Sequence, residues 1–426
     1  MQKGIKSRLI IHEILKLIKI KSFDFDKAFI ISINGIDLIE SDIKLIQNVV
    51  LSSLRFHLYI NNIIDKLTNK IKKNSNEYFL LLSAITQIIF LDFKDFAVVN
   101  STVELSKLKK SKASKNFINA VLRNVIRNKK ELKKTKISFK QFPNWFLKKT
   151  YWLNKKEKSD FIKTIVYQPQ VHLVFKNSKK IPNDLEGQIT SKNSIALNKN
   201  KNISKVTNYK KGDWWVQDFS AMLPIHSINN FKNKKIADLC SAPGGKTFQL
   251  IDKEGDVTSY EKKQDRAEIL KQNLSRLGFK SKIVVKDSLK IDNSLKFDAI
   301  IIDAPCSSVG TIRRNPDIFF RDQEPNFKNT IELQYNLLKK SEKIFKNNGM
   351  LIYIVCSFLK EEGERQINRF LKDYKNFKLS KIFNKDLIDQ EIFNKKNNFF
   401  YTLPTKTKKG VLIDGFFSAS LIKNDK

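Results

Sequence analysis

Apolar residues in the first part of the chain recur at intervals of three and four. Ile43, Ile46, Val50, Leu54 and Leu58 fall along one side of a 3.6-residue helix, and Phe117, Ile118, Val121, Leu122 and Val125 form a second stripe. No glycine occurs from Ile36 to Glu186. The spacing predicts a mostly helical region, with one helix over roughly Lys115–Arg127 whose Arg123 and Arg127 face outward. Ser41 before Asp42, and Ser101 three residues before Glu104, are expected to cap helix starts. The opening stretch, MQKGIKSRLIIHEILKLIKI, places lysines before an apolar run. His12, Glu13, Lys16 and Lys19 interrupt that run and no small-residue cleavage site follows, so an amphipathic helix is expected rather than a signal peptide. The most apolar run, Tyr78 to Leu91, falls short of the ~20 residues a membrane span needs and contains Ser83, Thr86 and Gln87. It predicts a buried core helix and no membrane partner.

Between about Gln141 and Asn230 the pattern changes to short apolar runs, Val171 to Phe175 and Trp214 to Val216 among them, separated by clusters of Asn, Ser, Lys and Gly. From Lys234 it changes again. Short strands at Ile236–Leu239, Val257–Tyr260, Ile283–Val285, Phe297–Ile302 and Met350–Val355 alternate with helical segments, which specifies a parallel sheet covered on both faces. Three domains are expected in the 426 residues: a helical one over 1–135, a linker with a small mixed α/β module over 136–230, and a doubly wound, Rossmann-like α/β domain over 231–426. Ligands of such sheets lie beyond the carboxyl ends of the strands.

Composition narrows the classes. Three cysteines, Cys240, Cys306 and Cys356, all in the second half, argue against a disulfide framework and for a reducing, cytoplasmic setting. His12, His57, His172 and His226 are scattered without cysteine partners, so no zinc site can be drawn and no metal is expected. The net charge of +37 favours a polyanionic partner, since lysines gain affinity for phosphates by releasing condensed counterions. Yet with 69 lysines against eleven arginines, and abundant Ile and Asn, an A·T-rich coding sequence accounts for the same excess. Lysines crowd Lys107 to Lys115 and Lys129 to Lys136, flanking the second apolar stripe, and are expected to meet RNA.

The first strand of the C-terminal region runs into ADLCSAPGGKTFQL, a tight glycine turn opening a helix, which lets backbone approach a ligand closely and aims free amides at it. Cys240, Ser241, Ala242, Pro243, Gly244, Gly245 and Lys246 make this turn a candidate site for a nucleotide-like cofactor. A P-loop would need glycine at Cys240, and the three spaced glycines of a dinucleotide site are absent. Glu261 closes the second strand, where a carboxylate can accept from both ribose hydroxyls; Asp287 follows the third, within reach of an adenine. The fourth strand ends in FDAIIIDAPCSSVGTIRRNPDI and the fifth in GMLIYIVCSFLKEE, so Cys306 and Cys356 each lie just past a strand end. With those strands adjacent, the thiols face one another across the cofactor crevice. Paired thiols suit methylation of cytosine carbon 5, which is too weakly nucleophilic to attack a methyl sulfonium until a thiolate adds at carbon 6. Asp303 can hydrogen-bond the ring nitrogen and exocyclic amine as charge develops, and a second group must help remove the hydrogen at carbon 5. Which thiol attacks is open on chemistry alone.

These motifs resemble those of the bacterial small-subunit ribosomal RNA cytosine-5 methyltransferases of the RsmB (Sun) family, within the two-cysteine RNA methyltransferases. LCSAPGGKT (Leu239–Thr247) is similar to the family's cofactor turn, DAPCSSVG (Asp303–Gly310), followed by RRNPDI, to its motif IV, and VCS (Val355–Ser357) to its nucleophile motif. WVQDFSA (Trp215–Ala221) is similar to the segment preceding the catalytic domain, and DGFFSASLIK (Asp414–Lys423) to the closing strand. VNSTVELSKLKKSKASKNFINAVLRNV (Val99–Val125) resembles the family's NusB-like RNA-binding domain. The resemblance covers nearly the whole chain. It implies S-adenosyl-L-methionine as cofactor, 16S ribosomal RNA as partner, Cys356 as nucleophile and Cys306 as the releasing residue. It further implies that Cys240 through Lys246, Glu261, Asp287 and Asp303 line cofactor and base, with Lys246 helping to neutralise substrate charge. Nothing requires more than a monomer. Val355 replaces the family's usual threonine, and QPQVHLVFKN lacks the arginine usual after its proline; neither change removes a catalytic group.

Three other readings compete. Two-cysteine enzymes acting on transfer RNA often lack the NusB-like domain. A DNA cytosine-5 methyltransferase would use the pair Pro305–Cys306 for attack, leave Cys356 without a role, and have to extract its base from a duplex. A non-catalytic RNA-binding assembly factor is expected to have lost Cys306, Cys356, Asp303 or the GGK turn, and all are present.

Overall fold

The structure, a computed structural model, describes residues 3–69, 71–199, 202–228, 231–380 and 399–424. It divides into two compact units, Met1–Val166 with Ile312–Pro325, and Tyr167–Thr311 with Asn326–Lys426.

The first unit is built of α1 (Lys3–Lys21), α2 (Phe25–Ile33), α3 (Glu40–Leu67), α4 (Asn76–Ile85), α5 (Asp95–Leu105), α6 (Lys115–Arg127), α7 (Lys129–Leu132), α8 (Asn144–Lys149) and α9 (Lys155–Ile165). The second apolar stripe is α6, capped by the Ser114 hydroxyl, which accepts from the Phe117 amide at 3.4 Å. Ile118, Val121, Leu122 and Val125 are buried while Arg123 and Arg127 are exposed. The Tyr78–Leu91 run is α4 prolonged by a π turn over Thr86–Phe90. Most of its polar groups find partners within the unit, the buried Gln87 Oε1 being the exception among the described residues. Thr86 donates to Leu82 O at 2.7 Å and meets the Ser53 hydroxyl at 3.0 Å, which offsets its burial, and Gln87 Nε2 donates to Ser83 O at 3.0 Å.

Two helix starts differ from expectation. α3 begins at Glu40 behind Ile39 without a side-chain cap, and Ser41 lies inside it. Ser101 also lies within a helix, since Asp95 and the buried Val98 already carry α5 upstream; its hydroxyl donates back to Ala97 O at 2.6 Å. The helical region also continues past residue 135, because Phe146 of α8 and Phe161 of α9 belong to its aromatic interior. That interior takes in the segment Ile312–Pro325. Phe319 packs 4.7 Å from Phe146, Phe320 packs 5.4 Å from His57, Arg55 Nη2 donates to Arg313 O at 3.0 Å, and Lys19 pairs with Asp322 at 2.6 Å. The RRNPDIFF sequence is therefore part of the helical unit.

The second unit opens with a small antiparallel sheet, β1 (His172–Phe175), β2 (Gly187–Ser191), β3 (Ser194–Leu197) and β4 (Trp214–Val216), in the order β2-β3-β1-β4. It then runs through α10 (Phe219–His226), β5 (Lys235–Leu239), α11 (Gly245–Asp252), β6 (Asp256–Glu261), α12 (Gln264–Leu277), β7 (Lys282–Val285), β8 (Phe297–Asp303), α13 (Phe327–Lys343), β9 (Phe345–Val355), α14 (Glu364–Asp373), β10 (Phe377–Ser380), β11 (Phe400–Thr402), β12 (Thr405–Lys406), β13 (Leu412–Ile413) and β14 (Phe416–Lys423). The main sheet has the order β10-β14-β9-β8-β5-β6-β7. From β9 to β7 it is parallel, as expected from the alternation; β14 joins β9 antiparallel, with β10 and β11 on β14, so the sheet as a whole is mixed. Successive residues of the central strands feed opposite cores. Ile236, Ala299, Ile301 and Ile352 meet α11 and α12, while Ala237, Leu239, Ile300 and Ile302 meet α13 and α14. Burial on both faces is why these strands read as unbroken apolar runs.

Candidate active site

The turn after β5 is held by backbone geometry and by its neighbours. Cys240 has φ 64° and Gly244 φ 118°, which reverse the chain at the strand end and start α11. A Cβ on Gly244 would lie 2.2 Å from the Phe248 ring, so only glycine fits. Ser241 N donates to Tyr260 O at 3.1 Å, the Arg266 guanidinium donates to Ala242 O, and Asn273 Nδ2 donates to Pro243 O at 3.1 Å. Beneath the turn, Trp215 Nε1 donates to Gln217 Oε1 at 2.8 Å and Gln217 Nε2 to Gln249 Oε1 at 2.8 Å, which seats WVQDFSA under Gly245. Cys240 packs against the apolar layer. Desolvation, and then the charges of Asp303 and Glu261, push its thiol up to about 12, so it stays protonated and acts as a small hydrophobe.

Glu261 is buried, and its two oxygens differ. Oε1 accepts from Lys263 N at 3.1 Å, while Oε2 has no hydrogen-bond partner among the described residues and only a 3.8 Å ion pair with Arg266. A buried carboxylate oxygen left this way suits a ribose hydroxyl, and with the glycine turn it fits the nucleoside part of S-adenosylmethionine. Asp287 has other partners. One oxygen accepts from Leu289 N at 3.1 Å and the other meets Lys262 at 2.9 Å, and the Lys262 contact holds its carboxyl below the usual range.

Adjacent strand ends bring the remaining residues together. Asp303 of β8 registers with Ile354 of β9, and the next turns set Cys306 Sγ 3.2 Å from Cys356 Sγ. Both sulfurs are half-buried. The hydrogen bond from Cys306 lowers the Cys356 thiol, helped by the Ser308 hydroxyl at 3.5 Å and the charge of Lys246, while the same contact raises Cys306. The contact thus makes Cys356 the more readily ionised of the two thiols. Lys246 does not extend from the turn as expected. It is buried, donates to Asp303 Oδ2 at 2.7 Å and lies 5.8 Å from the Phe416 ring. The turn, Glu261, Asp303, Lys246 and both thiols thus converge on the carboxyl ends of β5, β6, β8 and β9.

Several supporting residues were not singled out in the sequence. Glu362 is fully buried, its carboxyl raised by desolvation, and it accepts from Ser307 N at 2.7 Å and Ser307 Oγ at 2.6 Å. Gln334 Nε2 donates to Pro305 O at 2.9 Å. Together they clamp the loop that carries Cys306. Gln334 had a legible signal, being a polar residue on the apolar face of α13 beside Tyr335 and Leu338. Glu362 did not, because Glu361 and Glu364 flank it and only packing separates them. Asp238 is fully buried, accepts from Thr247 Oγ1 at 2.5 Å, and has its carboxyl pushed up to about 7 by desolvation. The lysine runs on the helical unit are partly neutralised: Lys107 pairs with Glu104 at 2.6 Å, Lys129 with Asp95 at 3.1 Å and Lys133 with Asp92 at 2.9 Å. Among the described residues no group of side chains could hold a metal ion, and no helix is long and apolar enough to cross a membrane.

Known proteins resemble both units. Residues 226–422 match the family model "16S rRNA methyltransferase RsmB/F", and residues 5–127 match the NusB family. The chain is 28% identical over 396 residues to ribosomal RNA small subunit methyltransferase B of Photorhabdus laumondii, covering 87% of this chain and 92% of that protein. It is also 28% identical to the protein of the same name from Shewanella oneidensis, covering 81% and 82%. Among solved structures, PH0851 aligns with a TM-score of 0.72 at 19% identity over 99% of this chain and 100% of that one. A methyltransferase homolog from Pyrococcus horikoshii aligns with a TM-score of 0.53 at 24% identity over 66% and 95%. With a glycine turn and the buried Glu261 carboxylate on one side of the crevice and two thiols on the other, residues 226–422 belong to the 16S rRNA methyltransferase RsmB/F family, and the chain is an S-adenosylmethionine-dependent RNA methyltransferase.

Proposed function

We propose that this protein methylates carbon 5 of a cytosine in 16S ribosomal RNA, as a cytoplasmic monomer, through a covalent adduct with Cys356. The carrying observation is the 3.2 Å approach of two thiols at the ends of adjacent parallel strands, with an acid and a lysine beside them. When bound, S-adenosylmethionine supplies an electrophilic methyl group on a sulfonium. Cys356, the more readily ionised thiol, adds as its thiolate to carbon 6 of the base and so makes carbon 5 nucleophilic. Asp303, steadied by Lys246, hydrogen-bonds the base edge as charge develops. Once carbon 5 carries the methyl group, Cys306, its own thiol proton given up to solvent, takes the hydrogen at carbon 5 as a proton; the carbon 5–hydrogen electron pair restores the ring double bond and expels the Cys356 thiolate from carbon 6. Glu261 and the turn from Cys240 through Gly245 hold the nucleoside, with Asp287 near the adenine. The RNA substrate agrees with the names of the relatives and with the NusB-like region.

The test is incubation of the protein with methyl-labelled cofactor and 16S RNA, followed by bisulfite mapping. One cytosine should become resistant to bisulfite. Transfer to transfer RNA alone, or to none of these RNAs, would contradict the proposal.

A further inference from the structure

The second unit carries a polar groove of about 550 Å³ away from the two cysteines, lined by Tyr167, Gln168, Asn198, Lys199, Lys406 and Leu412 among others. Tyr167 is 48% exposed, and Lys406 Nζ lies 5.9 Å from its ring centroid. The described lining contains two lysines, side-chain amides and no carboxylate. One wall is the β12–β13 hairpin. Its tip is closed by backbone hydrogen bonds: Thr407 N donates to Val411 O at 2.8 Å, Gly410 N to Thr407 O at 2.8 Å, and Gly410 has φ 85°. The tip exposes Lys408 and Lys409. Gln170 Oε1 accepts from Leu412 N at 2.7 Å and ties the hairpin to the opposite wall.

Chain continuity connects this groove to the thiols. Leu412 leads to Gly415, whose amide donates to Gly310 O at 2.9 Å, and Gly310 N in turn donates to Cys356 O at 3.1 Å. Three residues span at most ~11 Å. A strand of RNA with its target base at Cys356 can therefore lay neighbouring nucleotides in the groove. An exposed ring among lysines and amides is the surface that single-stranded nucleic acid uses, with bases stacked on the ring and phosphates neutralised by lysines.

We propose that the Tyr167–Lys199–Lys406 groove binds single-stranded RNA flanking the methylated cytosine, with a base on Tyr167 and phosphates on the two lysines. This rests on the RNA methyltransferase reading above. The test uses the full chain, 16S RNA and a labelled single-stranded oligoribonucleotide. Tyr167→Ala should raise the RNA KM and the oligonucleotide Kd roughly 5- to 100-fold, the worth of one stacked base, with kcat nearly unchanged. Tyr167→Phe should behave as wild type. The double variant Lys199→Ala/Lys406→Ala should flatten the slope of log affinity against log salt by ~1.4, about 0.7 for each phosphate contact. Wild-type affinity and salt slope in all variants, with wild type binding RNA, would overturn this inference alone. Failure of wild type to bind either RNA would overturn the reading beneath it as well. A defect seen only with protein-containing ribosomal particles would assign the groove to a protein partner and refute it.

Discussion

Replacing Gly310 by alanine should disable the enzyme without touching a reactive group. Gly310 lies four residues after Cys306, where two backbones meet: its amide donates to Cys356 O at 3.1 Å and its carbonyl accepts from Gly415 N at 2.9 Å. A Cβ there would stand 1.8 Å from Gly415 O and 2.9 Å from Cys356 O, whereas real contacts do not fall below 3.0 Å. In so closely packed a region the backbones must part by at least about 1 Å. That displacement breaks both hydrogen bonds, worth about 0.5–1.5 kcal/mol each, and so costs roughly 1–3 kcal/mol of stability. It also carries the Cys306 loop away from Cys356. A misplacement of about 1 Å is expected to lower kcat by about 100-fold. Cofactor affinity should hold, because the Gly244 turn and Glu261 lie on other strands. Labelled-methyl transfer gives kcat, and urea denaturation gives stability. An alanine variant with kcat within about 3-fold of wild type would refute the claim that this crossing sets the distance between the thiols.

Phe320→Ala, which empties a site beside His57 and Tyr78, should destabilise the helical unit by about 3–5 kcal/mol, read as a lowered urea midpoint; a change under about 1 kcal/mol would place RRNPDIFF outside its core. Glu261→Gln keeps the shape but replaces a buried charged acceptor, and should raise the KM for S-adenosylmethionine roughly 10- to 100-fold, the worth of a charge-assisted hydrogen bond, with RNA binding unchanged. Iodoacetamide should alkylate Cys356 at lower pH than an ordinary thiol, because the donor on Cys306 favours the thiolate and the rate rises with the thiolate fraction. Cys306→Ala removes that donor and should move the alkylation profile to higher pH; a shift to lower pH would mean the proton rests on Cys356.

Much of this site was legible because catalytic groups in a doubly wound sheet sit where strands end, and strand ends can be read from the switch in apolar period. Cys306, Cys356, Glu261 and the turn from Cys240 to Gly245 were singled out in this way, and the fold gathers them at the carboxyl ends of neighbouring strands. Asp287 lies at the expected place, yet its oxygens already serve a local turn and Lys262, partners that position alone does not reveal. Lys246 was expected to point at substrate; the pull of Asp303 across β5 and β8 turns it inward, a tertiary contact invisible to spacing. Glu362 needed the structure for the same reason. In the helical part, periodicity marked α6 and the buried α4 correctly, whereas the lysine-rich stretch near 135 reads as a linker when α8 and α9 continue the same aromatic interior.

The division of labour between the thiols is tested most directly by trapping the adduct. Wild type, Cys356→Ala and Cys306→Ala are each incubated with S-adenosylmethionine and 16S RNA, then resolved on a denaturing gel. Cys306→Ala should accumulate a protein–RNA band resistant to denaturant, because attack proceeds while release stalls, and Cys356→Ala should form none and transfer no methyl group. An adduct retained by Cys356→Ala and absent from Cys306→Ala would reverse the assignment and contradict the mechanism.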